Sequence, residues 1–298
     1  MEGVISVFHS DPTEIKPHTT RSWDFVNLLE GINGNSISGG EDLLSKANGG
    51  KDVIVGIMDS GVWPESPSFS DEGMEPIPSS WKGICEEGYE ATFGRLNQTR
   101  DFRSPRDVDG HGTHTASTVG GRRVPNAAAF GGFGAGTASG GAPNVRLAIY
   151  KVCWPVPDKT LAEGNTCLAD DTLAAFDDAI SDGVHVISVS LGAIPKGQYY
   201  TQNGIAIGAL HAVKRNIVVA CSAGNDGPEA STVANVAPWI ITVGASSTDR
   251  VFSSPLKLGN GMIIEGQTVT PIRRRAMLPL VYAGNVEIPG TTNSTTTG

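Results

Sequence analysis

Five short apolar runs constrain this chain more than any other feature. They are residues 52–59 (DVIVGIMD), 145–152 (VRLAIYKV), 184–191 (VHVISVSL), 216–223 (NIVVACSA) and 239–245 (WIITVGA). Each is rich in β-branched residues, is about one strand long and is bounded by polar residues or glycine. Helical patterns lie between them. Residues 168–182 open with Asp170 and Asp171, which suit a helix N-terminus. They then place Leu173, Phe176, Ala179 and Ile180 on one face, and Gly183 stops the run. Residues 204–215 (GIAIGALHAVKR) form a second helix with its cations at the C-terminal end. Strands that alternate with helices predict an α/β fold, a mostly parallel sheet with helices on both faces. In such sheets functional groups gather at the carboxyl ends of the strands. The Gly- and Ala-rich residues 121–144 read as a loop. A change of character near 270, where Arg273-Arg274-Arg275 is followed by a Thr-rich end, reads as a boundary.

Composition narrows the classes. Of 298 residues, 39% are hydrophobic and only 18% charged, enough to bury a core, and the 38 glycines beside β-branched runs suggest tight turns rather than disorder. A net charge of -9 argues against a nucleic-acid partner. No apolar run approaches the roughly 20 residues of a membrane span, and the opening MEGVISVFHS lacks the pattern of a signal peptide. Cys85, Cys153, Cys167 and Cys221 fit no zinc spacing, and neither a metal nor a cofactor is expected. Asn97 and Asn293 begin acceptor tripeptides and are glycosylation candidates. The Gly-rich stretch 131–141 (GGFGAGTASGG) contains no G-x-G-x-x-G and precedes a strand, which argues against nucleotide binding.

Three segments carry chemistry together. Asp59 closes the first apolar run in Asp59-Ser60-Gly61-Val62. His111 lies among small residues in Asp109-Gly110-His111-Gly112-Thr113-His114. Asn225 follows the fourth run in Ser222-Ala223-Gly224-Asn225-Asp226-Gly227-Pro228. Singly, these are a turn-forming carboxylate, a structural histidine and an ordinary turn. Jointly they supply a base, the carboxylate that orients it and an amide donor for an oxyanion, which is the equipment of acyl transfer.

These segments resemble the plant subtilisin-like serine proteases. IVGIMDSGVWPESPSF is similar to the family's aspartate segment, DGHGTHTAST to its histidine segment and ACSAGNDGP to its oxyanion segment. The resemblance implies that Asp59 orients, His111 is the general base and Asn225 is the oxyanion donor, with His114 a helix residue packed beside His111. It implies that Ser190, Leu191 and Gly192 pair with an extended peptide or protein substrate and that Ser222, Ala223 and Gly224 line the opposite wall. It assigns residues 1–18 to the end of an inhibitory propeptide, the protein's own inhibitor. Residues 19–270 become a partial, incomplete subtilisin-like catalytic domain, and 271–298 the start of a protease-associated domain. The family's Gly-Thr-Ser segment does not follow Asn225, and Gly136-Thr137-Ala138-Ser139 is assigned to a loop. The chain is therefore expected to stop before the catalytic serine and to be inactive alone. A segment after Cys85 also looks skipped, which leaves Cys85 a free thiol by the family's pattern. An extracellular or cell-wall location is implied for a full-length parent. A non-catalytic, peptide-binding homologue is the alternative.

Overall fold

The computed structural model describes residues 4–7, 46–85, 101–155, 166–192, 200–248, 250–268, 278–279 and 281. Asn97 and Asn293 lie outside the described residues. The chain divides into two compact units. One comprises residues 1–20, 126–136 and 249–298, the other residues 21–125 and 137–248. In the first unit, strand β1 (Val4–Val7) pairs antiparallel with β11 (Leu256–Leu258), which pairs in turn with β12 (Ile263–Ile264). Phe133 and Phe252 meet edge to face there, with ring centroids 5.6 Å apart.

The second unit is built on five parallel strands in the order β10-β9-β8-β2-β5. They are β2 (Ile54–Asp59), β5 (Arg146–Lys151), β8 (Val186–Val189), β9 (Val218–Ser222) and β10 (Ile241–Val243). All five fall inside the predicted runs, as an α/β sheet requires. β10 is shorter than its run because it pairs only with Ala220, Cys221 and Ser222 of β9.

Helices cover both faces. Helix α1 (His111–Gly120) packs on one side, α2 (Ala169–Asp182) and α3 (Gly204–Val213) on the other. Side chains alternate along β2, so Ile54 and Met58 enter the cluster with Phe176, Ala179 and Ala209. Val55 and Ile57 enter the cluster with Ala116 and Val145. Phe176 is fully buried, a placement that contributes roughly 1.5–3 kcal/mol. It packs so closely on α3 that a methyl at Gly208 would come within 2.3 Å of the ring. On α2, Phe176 and Ala179 are buried and Leu173 and Ile180 half-buried; the chain leaves the helix through Gly183 at φ 84°. On α3, the Asn203 side chain accepts the Ala206 N–H at 3.0 Å and caps the N-terminus.

The structure corrects two sequence readings. Residues 121–144 are not simply a loop: β3 (Val124–Ala127) pairs with β4 (Gly136–Ala138), so the Gly136-Thr137-Ala138 look-alike is mainly strand. β3 reads Val-Pro-Asn-Ala and β4 Gly-Thr-Ala, so both are too short, and the first too interrupted by proline, for a period-2 pattern to show. His114 belongs to α1 as expected, but it is exposed rather than packed. One linkage escaped the sequence reading. β6 (Cys153–Trp154) pairs antiparallel with β7 (Thr166–Cys167), Cys153 stands opposite Cys167, and the two form a disulfide. Cys85 is free and exposed, Cys221 free and buried. Burial pushes the Cys221 thiol up to about 12, so it stays protonated and inert.

Candidate active site

The same alternation that sends Val55 and Ile57 toward α1 makes Asp59 the next residue on that side. Its side chain is 2% exposed. Oδ1 accepts the Ser60 N–H at 2.7 Å and lies 2.7 Å from His111 Nδ1, while Oδ2 accepts the Thr115 hydroxyl at 2.9 Å. A carboxylate held on both oxygens fixes the plane and tautomer of an imidazole on one of them. The His111 side chain is 50% exposed, so solvent reaches the ring.

His111 is the first residue of α1, and the start of that helix is set by Asp107. Asp107 Oδ1 accepts the N–H groups of Asp109 and Gly110, each at 2.9 Å, and the Ser60 hydroxyl at 3.0 Å. Oδ2 accepts the Thr113 N–H at 2.9 Å and its hydroxyl at 2.6 Å. Burial alone would raise this carboxyl. The donors from Gly110, Thr113 and Asp109 outweigh that and hold it below the usual carboxylate range. Ser60 Oγ in turn accepts the Gly112 N–H at 2.8 Å. The helix can come this close only because residue 112 is glycine, since a Cβ there would sit 2.2 Å from the Gly61 carbonyl oxygen. One buried network thus ties the end of β2 to the beginning of α1.

The second group lies at the ends of β8 and β9. Ser190 and Leu191 are half-buried and Gly192 is exposed just beyond β8. Ser222 closes β9, Ala223 accepts the Ala234 N–H at 2.8 Å, and Gly224 turns the chain at φ 90° into an exposed Asn225. These residues are tied together by Asn235, which is 4% exposed. Its Nδ2 donates to Leu191 O at 2.8 Å and to Ser222 O at 2.9 Å. Gly192 packs against the same amide, leaving no room for a Cβ.

Sequence reasoning missed Asp107, Thr115 and Asn235. The signal for Asp107 was present: an aspartate and Gly110 just ahead of a helix mark a capped start. Nothing local marked Asn235, whose partners stand 44 and 13 positions away. Among the described residues no group of His, Cys, Asp and Glu could hold a metal ion, and no helix is long and apolar enough to cross a membrane.

The peptidase S8 model, the subtilase family, matches residues 50–297. Subtilisin-like protease SBT5.6 of Arabidopsis thaliana is 52% identical over 321 aligned residues, covering 96% of this chain and 40% of that protein. Subtilisin-like protease SBT5.5 of the same plant is 51% identical over 329, covering 97% and 41%. The chain therefore spans about two fifths of the length of these relatives. Both alignments are longer than the chain, so the relatives carry residues within the aligned stretch that this chain lacks. Among solved structures, the prenylagaramide maturation protease PagA is 20% identical over 77% of this chain and 73% of that one, with a TM-score of 0.44. With residues 50–297 matched to one family model and half of the aligned positions shared with its plant members, the chain belongs to the subtilase family.

Proposed function

We propose that this chain carries the aspartate–histidine half of a serine endopeptidase site that hydrolyses extended peptides. The observation that carries the reading is the 2.7 Å contact between His111 Nδ1 and a buried Asp59, made at the carboxyl end of a parallel sheet. In this reading Asp59 keeps the imidazole proton on Nδ1 and stabilises the imidazolium. His111 takes the proton from a serine hydroxyl and returns it to the leaving amine. Asn225 donates to the oxyanion, a contact worth about 2.7–4 kcal/mol in a bacterial subtilisin. Main-chain groups at Ser190–Gly192 and Ser222–Gly224 bind the substrate as an added strand. The half-buried walls that Asn235 holds in place support that assignment.

No Gly-Thr-Ser segment follows Asn225, and the nucleophile is assigned to a serine outside this sequence. Residues 1–18 are assigned to the end of an inhibitory propeptide and 271–298 to the start of a protease-associated domain. The Cys153–Cys167 disulfide supports an oxidising, extracellular setting.

The test has two arms. The purified chain, assayed on a peptide library with a serine-directed covalent probe, is expected neither to cleave nor to be labelled. Cleavage that survives repurification, with a labelled serine in this chain, overturns the placement of the nucleophile. A chimera that appends the C-terminal remainder of SBT5.6 is expected to cleave, and to lose at least 10⁴-fold in turnover on His111→Ala, by analogy with triad removal elsewhere (roughly 10⁶-fold). A chimera that binds peptides tightly without cleaving them favours the non-catalytic alternative.

A further inference from the structure

Lys151, the last residue of β5, stands beside Asp59 in the register between β5 and β2. Its side chain is 2% exposed, as is that of Asp101, with which it pairs at 2.8 Å. The ammonium also donates to the Arg106 carbonyl at 2.5 Å and lies 4.7 Å from the centroid of the Trp154 ring. Burial pushes the Lys151 ammonium down; Asp101, Asp107 and Asp109 oppose this by favouring its charge. Replacing a buried ion pair by apolar groups is often neutral or stabilising, so stability alone is a weak reason for this one.

What distinguishes the pair is the segment it holds. Both oxygen partners of Lys151 lie between residues 101 and 106, directly before the Asp107 that seats α1. The other side of this segment is fastened to the continuation of β2. Val62 N–H donates to Pro105 O, and Asp107 N–H donates to Val62 O, each at 3.0 Å. A Cβ at Gly61 would lie 2.4 Å from Pro105 O. Residues 101–107 are thus clamped between the ends of two in-register strands, and the clamp ends at the residue that sets where His111 begins its helix.

We propose that Lys151 is a positioning residue for the Asp59–His111 pair: from the strand position beside Asp59 it fixes the 101–107 segment, and through Asp107 the start of α1. This rests on the role proposed above for that pair. Lys151 touches no reacting atom. Its effect is on the alignment of the imidazole and on the order of the first turn of α1.

The test uses the full chain and two readouts. A histidine Nδ1 proton shared with a carboxylate resonates at low field in proton NMR, and the unsubstituted chain is expected to show this signal. Its absence there overturns the Asp59–His111 reading, and the clamp with it, before any variant is made. The variant is Lys151→Met combined with Asp101→Asn, which leaves no unpaired buried charge. It is expected to lose the low-field signal, and the Gly110 and Thr113 amides are expected to exchange about tenfold faster while those of Ile57 and Val189 keep their rates. Lys151→Arg, which retains a cation and its donors, is expected to restore both. Lys151→Gln combined with Asp101→Asn, which likewise leaves no unpaired buried charge and keeps an amide donor for the Arg106 carbonyl, is expected to show the same pattern at smaller amplitude, and decides the matter if the methionine variant does not fold. An unchanged signal with unchanged exchange in a folded variant, or acceleration spread evenly over core amides, overturns the proposal.

Discussion

At the end of β2, the Asp59 carboxylate is buried and held by the Ser60 amide, the His111 ring and the Thr115 hydroxyl. At the ends of β8 and β9, Ser190, Leu191 and Ser222 are only half-buried and Asn225 is exposed. The first region is fixed by side chains that hydrogen-bond one another. The second is fixed from behind, by one asparagine amide on two backbone carbonyls, and its outward groups meet solvent. The difference follows from the two tasks proposed for them. A proton relay needs fixed angles before anything binds. A peptide wall needs main-chain groups left open for a strand that arrives later.

The strongest way to break this contrast is Asp107→Ala. It leaves the donors of Ser60, Asp109, Gly110 and Thr113 without their acceptor. A loss of about 3 kcal/mol or more in urea unfolding is expected, since each stranded buried donor costs about 1–3 kcal/mol. A loss below about 1 kcal/mol, the scale of a single cap, would mean that the network does not hold the region.

Reduction of Cys153–Cys167 is expected to cost roughly 2–3 kcal/mol, the scale for closing a loop of about 15 residues. Its separation is 14 positions. Unfolding midpoints with and without reductant measure it, and identical midpoints would show that the bridge does not contribute to stability.

Asn235→Ala removes both donors behind the second region, and a cost of about 1–3 kcal/mol is expected. Asn235 has φ 55°, a region that alanine tolerates less well. If the comparison is sound, this variant disturbs Ser190–Gly192 amides in NMR while the His111 ring signals stay put. Movement of the His111 signals would join the two regions into one.

The pH dependence separates them further. Asp107 has its carboxyl held below the ordinary range when folded, so the unfolded state binds its proton first as pH falls. Its contribution is therefore complete above the unfolded value of about 3.9 and is lost as pH drops through the lowered folded value. Chemical unfolding from pH 2 to 6 is expected to show a shallower acid slope in Asp107→Asn. Equal slopes would remove this carboxylate from the account. The smallest effect is expected at Asn225→Ala, within about 0.5 kcal/mol of the parent, because exposed side chains seldom carry stability.

Much of this was legible beforehand. The five apolar runs located every strand of the parallel sheet, and the pattern around Gly183 placed the end of α2. The sequence singles out Asp59 and His111, 52 positions apart, and the structure brings them together. Asp107 had a local signal that was passed over. Lys151 had none, because a lysine at the end of a strand run reads as the step into solvent until its carboxylate is found 50 positions away.

The sequence by itself determined where the five strands of the parallel sheet and helices α2 and α3 lie, because β-branched runs, apolar periodicity and helix termini are written in neighbouring residues. Only the tertiary structure decided that Gly112 must be glycine, that Cys153 bonds Cys167, that Asn235 joins two strand ends and that Lys151 is buried. Each of these depends on a contact between segments distant in sequence, made within a few ångströms by packing. A carbonyl that blocks a Cβ, or a carboxylate that holds an ammonium, leaves no mark on the residues beside it in the chain.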